Sequence, residues 1–151
     1  MNEALSHVAL LQGVSPPGLA ALAERGRERR FAAGAFLMRQ GGPSDVMYII
    51  LQGRVRVERN HRDMMGPIVL AELGPGETVG EMGLLDGEPR SAAVVALEET
   101  VALELDALVL AQTMMQYPEV GKALLHVLSG RIRATDDALV QRSLRGKEGF
   151  S

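Results

Sequence analysis

Glycine placement constrains this chain more than any other feature. Of its seventeen glycines, ten fall in the 54 residues from Gly34 to Gly87. Glycine weakens the interior of a helix or strand. Such a segment must therefore be short elements joined by turns, or a backbone kept bare so that something can approach it. Between the glycines lie β-friendly runs, AFLM, VMYIIL, RVRVER and IVLAEL, separated by RQGGPSD, QG, NHRDMMGP and GPGE. The stretch Arg54–Glu58 alternates polar and apolar, as a half-buried strand does. After Pro89 two further runs follow, Ala92–Leu97 and Thr100–Leu105. Roughly eight short strands at this spacing predict a mainly β sandwich or barrel that is largely antiparallel.

The flanks read as helices. Glu3 to Leu11 carries Leu5, Val8 and Leu11 at helical spacing. Ser15 precedes Pro16 and Pro17, an N-cap followed by proline in the first turn, and this second helix runs as far as Gly26. The run Arg25–Arg30 (RGRERR) reads as a solvated helix end. Asp106 can cap a helix to about Gln116, broken by Tyr117-Pro118. Beyond it, Val120, Leu124, Leu128, Ile132, Thr135 and Leu139 trace one stripe along a helix from Glu119 to about Arg142. A rod of ~30 Å cannot bury that stripe on one small barrel. The stripe therefore predicts a homodimer through helix 119–142. One domain results: N-terminal helices over 1–30, a β region over 31–106, C-terminal helices over 107–143, and a tail over 144–151.

Composition then excludes chemistries. With no cysteine, disulfides, thiolate metal sites and a cysteine nucleophile are impossible. A formal charge of -3 argues against a broad nucleic-acid footprint. Two tyrosines, three phenylalanines and no tryptophan are too few for a stacking platform along a single strand. His7, His61 and His126 lack the paired spacing of a zinc site, and no GxSxG or catalytic carboxylate pair stands out. Apolar runs fall short of a membrane span. These readings predict a soluble cytoplasmic domain that is not an enzyme, with no catalytic residue, no metal and no catalytic cofactor.

The informative stretch is Gly80–Ala93, GEMGLLDGEPRSAA. It reads as a strand end, a bare turn, one helical turn and a returning arginine. Gly80 and Gly83 let the backbone approach a ligand. The amides around Gly83, Leu84 and Leu85 would point at an anion. Asp86-Gly87 ends the turn and Glu88-Pro89 leads back into a strand. Arg90 then meets the same anion with its planar fork, Ser91 adds a hydroxyl donor, and Glu81 can accept from a sugar hydroxyl. An ion pair of Arg90 with Asp86 or Glu88, and a solvated turn carboxylate at Glu81, are the plain structural alternatives. The set suits a ribose carrying one phosphate charge. A triphosphate would call for GxxxxGK[ST], which is absent.

GEMGLLDGEPRSA resembles the phosphate-binding cassette of cyclic-nucleotide-binding domains, found in catabolite-activator-type transcription factors, kinase regulatory subunits and cyclic-nucleotide-gated channels. LLQGVSPPGLAALAE resembles the family's opening helices, FAAGAFLMRQGGPSDVMYIILQGRVRV its first strands, and LSGRIRAT the helix that covers the nucleotide. The resemblance implies an eight-stranded antiparallel double-stranded β-helix (jelly roll) with N-terminal helices and a long C-terminal helix. It implies a ligand-binding set of Gly80, Glu81, Met82, Gly83, Leu84, Arg90, Ser91 and Ala92, with Thr135 on the long helix. Glu81 would accept from the ribose 2′-hydroxyl, Gly83 and Leu84 would offer amides to the cyclic phosphate, and Arg90 would pair with its exocyclic oxygens. Where activator-type members place a Thr–Ser pair against adenine, this chain has Thr135 and Asp136, so half of the base contact matches.

The function implied is a sensor that binds cAMP, or alternatively cGMP, and signals through its C-terminal helix to an effector protein or output domain. Ser143–Ser151 is too short for a helix-turn-helix, so direct DNA binding by this chain is not expected, and neither is membrane binding. The rival readings are the sensor portion of a catabolite-activator-type regulator and a β-roll scaffold that no longer binds nucleotide.

Overall fold

Ser15 acts as its place before Pro16-Pro17 predicts. In the computed structural model, which describes residues 13–81, 87, 89–123 and 125, its hydroxyl accepts from the Gly18 N–H at 3.3 Å. That caps helix α1 (Pro16–Arg25), and Gly26 closes it by donating to the Leu22 carbonyl at 2.9 Å. The strands follow: β1 (Arg27–Phe31), β2 (Phe36–Met38), β3 (Val46–Gln52), β4 (Val55–Arg59), β5 (Ile68–Leu73), β6 (Thr78–Val79), β7 (Ala93–Ala96) and β8 (Thr100–Asp106). Helix α2 (Ala107–Gln116) comes next, with the Asp106 carboxylate accepting from Val109 N–H at 2.7 Å. Residues 118–123 are helical again. The expected helix over 3–11 and most of helix 119–142 lie outside the described residues.

The strands form two four-stranded sheets, ordered β1-β8-β3-β6 and β2-β7-β4-β5. Every pairing between them is antiparallel. The fold is mainly β, with two antiparallel sheets and flanking helices, as the glycine-punctuated runs predict.

β3 explains how the cores are divided. VMYIIL is a continuous apolar run because both faces of its sheet are covered. Met47 and Ile49 point to a cluster with Leu22 of α1, Leu110 of α2, Val120, Leu103 and Leu105. Tyr48 and Ile50 point the other way, between the sheets, with Phe31, Leu37, Val55, Val94, Ala96 and Ala102. Only β3 and β8 serve both clusters among the described residues. β5, by contrast, is an edge strand whose Val69 and Leu70 are about half exposed. No helix among the described residues is long and apolar enough to cross a membrane.

One reading is corrected. RGRERR is not a helix end: α1 stops at Arg25 and the chain enters β1 at Arg27, ahead of the boundary placed at Phe31. Gly26 turns extended (φ -76°, ψ 164°) where a Cβ would lie 2.7 Å from Leu103 Cδ1. The arginines then form a sheet edge paired with β8 from Arg27↔Glu104 to Phe31↔Thr100. Their charge is accommodated there, because Arg29 donates to Glu104 Oε2 at 2.8 Å and its guanidinium lies 5.4 Å from the centre of the Phe31 ring.

Candidate functional site

β6 ends at Val79, and the backbone of the next residue, Gly80, is left-handed, with φ +88°. A Cβ at this position would lie 2.9 Å from Arg90 Nη1 and from Met38 Cε, and 3.1 Å from the Val46 carbonyl. Glycine is needed for conformation and for space, and the group that approaches it is the arginine ten residues on. Arg90 is only 6% exposed. Its Nη1 donates to the Gly80 carbonyl at 2.9 Å, its Nε to the Pro43 carbonyl at 3.1 Å, and its Nη2 to the Val46 carbonyl. Each carbonyl takes one N–H from a different nitrogen, so each terminal nitrogen keeps a second N–H.

Backbone bonds fix the same residue. Arg90 N–H donates to the Gly42 carbonyl at 3.0 Å, and Gly41 N–H donates to the Arg90 carbonyl at 2.8 Å. Burial lowers the Arg90 pKa from its ordinary value, while Asp45, Tyr48 and Glu81 oppose that shift. The guanidinium stays cationic, because arginine keeps its proton in proteins. Glu81, one residue past Gly80, is 0% exposed. That rules out the solvated turn carboxylate as its reading.

Tyr48 completes the polar part of the roll interior. Its hydroxyl donates to Glu104 Oε2 at 3.0 Å, the oxygen that also receives Arg29. Its ring meets Phe31 edge-on at 5.7 Å. Burial, and then Glu104, push the phenol up to about 12, with Arg29 and Arg90 pulling the other way.

Of the sequence-derived set, Gly80, Glu81 and Arg90 are buried or tightly packed around one point. Ser91 and Ala92 follow directly, Ser91 exposed and Ala92 half-buried. Met82, Gly83, Leu84 and Thr135 lie outside the described residues, as do Asp86 and Glu88. Sequence reasoning missed the loop at 39–45, read only as turn punctuation, which supplies the Gly42 and Pro43 carbonyls. It also missed Tyr48 and Glu104, read only as strand residues. A separate hollow of about 390 Å³, lined by Arg30, Phe31, Ala32, Ala33 and Glu99, lies at the Thr100 end of β8. Val46, beside Arg90, pairs with Asp106 at the opposite end of that strand. Among the described residues no group of His, Asp or Glu side chains is placed to hold a metal ion.

The family profile described as the cyclic nucleotide-binding domain matches residues 28–117, which include Gly80, Glu81 and Arg90. The CRP-like cAMP-activated global transcriptional regulator of Mycobacterium tuberculosis (strain CDC 1551 / Oshkosh) is 32% identical over 139 residues, covering 92% of this chain and 62% of that protein. The crystal structure of Thermus thermophilus catabolite activator protein superposes with a TM-score of 0.84 at 32% identity, covering 89% of this chain and 63% of that one. The regulatory domain of Toxoplasma gondii PKA, crystallised with cAMP, gives a TM-score of 0.76 at 26% identity, covering 88% and 48%. The chain thus spans about three-fifths of the length of the curated relative (62%).

Proposed function

The chain belongs to the cyclic nucleotide-binding domain family, and from that premise we propose that it is a regulatory sensor for cAMP whose phosphate is held by Arg90. The observation that carries the proposal is the anchored, buried Arg90 fork beside Glu81. A buried cation whose terminal nitrogens each keep a second N–H suits a singly charged acceptor with two oxygens side by side, as the exocyclic oxygens of a cyclic phosphate are. Glu81 would accept from the ribose 2′-hydroxyl, Gly83 and Leu84 would give amides to the phosphate, and Ser91 would donate beside it. Met82 and Ala92 would line the cassette, and Thr135 would face the base. The choice of cAMP over cGMP draws support from the names of two relatives, one called cAMP-activated and one crystallised with cAMP.

The proposed role is switching rather than catalysis. A ligand biases two arrangements only by its differential affinity for them. Output would pass through the helix that continues from residue 118, with a second copy paired through 119–142; light scattering reads that pairing. Arg90→Ala would leave the bound phosphate unpaired at a cost of ~2–5 kcal/mol, a loss of about 30-fold or more in affinity. Titration calorimetry of both proteins with cAMP and cGMP measures it. Equal affinities for wild type and variant would overturn the assignment, and a flat wild-type titration would favour a scaffold that binds no nucleotide.

A further inference from the structure

The hydrogen bonds around Arg90 extend beyond its guanidinium and close on themselves. Gln40 applies its side-chain amide to the backbone of Asn60, the residue after β4. Asn60 N–H donates to Gln40 Oε1 at 2.7 Å, and Gln40 Nε2 donates to the Asn60 carbonyl at 3.2 Å. The next residues, Gly41 and Gly42, exchange backbone hydrogen bonds with Arg90. Ser91, adjacent to Arg90, accepts at its carbonyl from Arg59 Nε at 3.0 Å. Arg59 is joined covalently to Asn60, so the circuit is complete. Gly41, with φ +80°, turns the chain so that Gln40 serves Asn60 while its successors serve Arg90. Pro43, whose carbonyl holds Arg90 Nε, is the next residue after Gly42.

We infer that Gln40 and Arg59 are positioning residues for Arg90: by closing this ring they hold the Pro43 carbonyl and the Arg90–Ser91 backbone where the fork meets a cyclic phosphate. The inference rests on the reading of Arg90 as the phosphate ligand. Both side chains are exposed. Exposed hydrogen bonds contribute little net stability, because water replaces a lost partner. What the pair supplies is restriction of three chain segments that meet at the site. Opening a ring at any one link frees the whole of it, so the links act as one unit and not as a sum.

The test uses the full chain with Gln40→Ala, Arg59→Ala and both together, titrated calorimetrically with cAMP. Exchange of the Arg90 Nε–H is followed in the ligand-free proteins by side-chain nitrogen spectra. Each single change is expected to weaken binding by about 3- to 10-fold, ten being 1.4 kcal/mol. The double variant should lose no more than the worse single, and Arg90 Nε–H should exchange faster in all three. Arg62→Ala, which removes a neighbouring exposed cation outside the ring, should bind as wild type does. Losses that multiply in the double variant overturn the ring. So does wild-type affinity in both single variants, or a loss in Arg62→Ala equal to that in Arg59→Ala. If wild type binds no cyclic nucleotide yet Arg90 Nε–H exchange still accelerates, the positioning stands and the reading of the ligand fails.

Discussion

The carbonyls of Pro43, Val46 and Gly80 hold the Arg90 fork without cancelling its charge. A carboxylate making the same bonds would neutralise the cation that the proposed ligand needs. The neighbouring Tyr48 allows a test of this interior at the level of one group. Its folded-state pKa, about 12, lies above the value near 10 that it has when unfolded. Below pH 10 both states keep the proton and the Tyr48–Glu104 bond contributes fully. Between about 10 and about 12 the unfolded chain gives up the proton while the folded one retains it, so stability falls as pH rises. Tyr48→Phe should cost ~0.5–1.5 kcal/mol at neutral pH for the lost bond, and that deficit should shrink as pH rises through this window. Urea midpoints of both proteins from pH 8 to 11.5 check it; a constant deficit would overturn the assignment. Gly80, Glu81 and Arg90 were legible in the sequence because a glycine, a carboxylate and a guanidinium each announce their chemistry. The carbonyls that aim Arg90 were not, since every residue carries one and only the fold selects Gly42, Pro43 and Val46.

At the scale of elements, the same contrast separates helices from strands. Helices α1 and α2 start where a capping side chain says they should, because Ser15 and Asp106 satisfy amides that no intrahelical partner can reach. Asp106 serves as both the last residue of β8 and the cap of α2. Asp106→Ala should therefore cost ~0.5–2 kcal/mol and Asp106→Asn much less, read as shifts in the urea midpoint. An equal loss for both would mean that charge, not the accepted hydrogen bond, is what matters there. β1 had no such local signal. Arg27–Phe31 has poor intrinsic preference for a strand and becomes one because β8 presents a free edge and Glu104 a counter-charge. Tertiary pairing of this kind cannot be read from a window of five residues.

Across the whole molecule, β3 and β8 are the joint on which both cores depend. Their alternate residues face the helices on one side and the interior of the roll on the other. Ile49 and Ile50 are adjacent, each 0% exposed, and belong to different clusters. If the clusters were independent units, damage to one would leave the other's melting untouched. Shared strands forbid that, since losing either cluster strips one face from both strands. Ile49→Ala and Ile50→Ala should each cost ~2–5 kcal/mol and each lower a single unfolding transition. Far-UV circular dichroism reports the backbone as a whole. Tyrosine fluorescence reports Tyr48 between the sheets and Tyr117 beside the helices, so the two signals should stay superimposed in both variants. A variant in which they separate would show that the helices can detach from the roll. Coincidence would mean that helices and roll stand or fall together, which is the mechanical condition for a ligand at Arg90 to be felt in the helices.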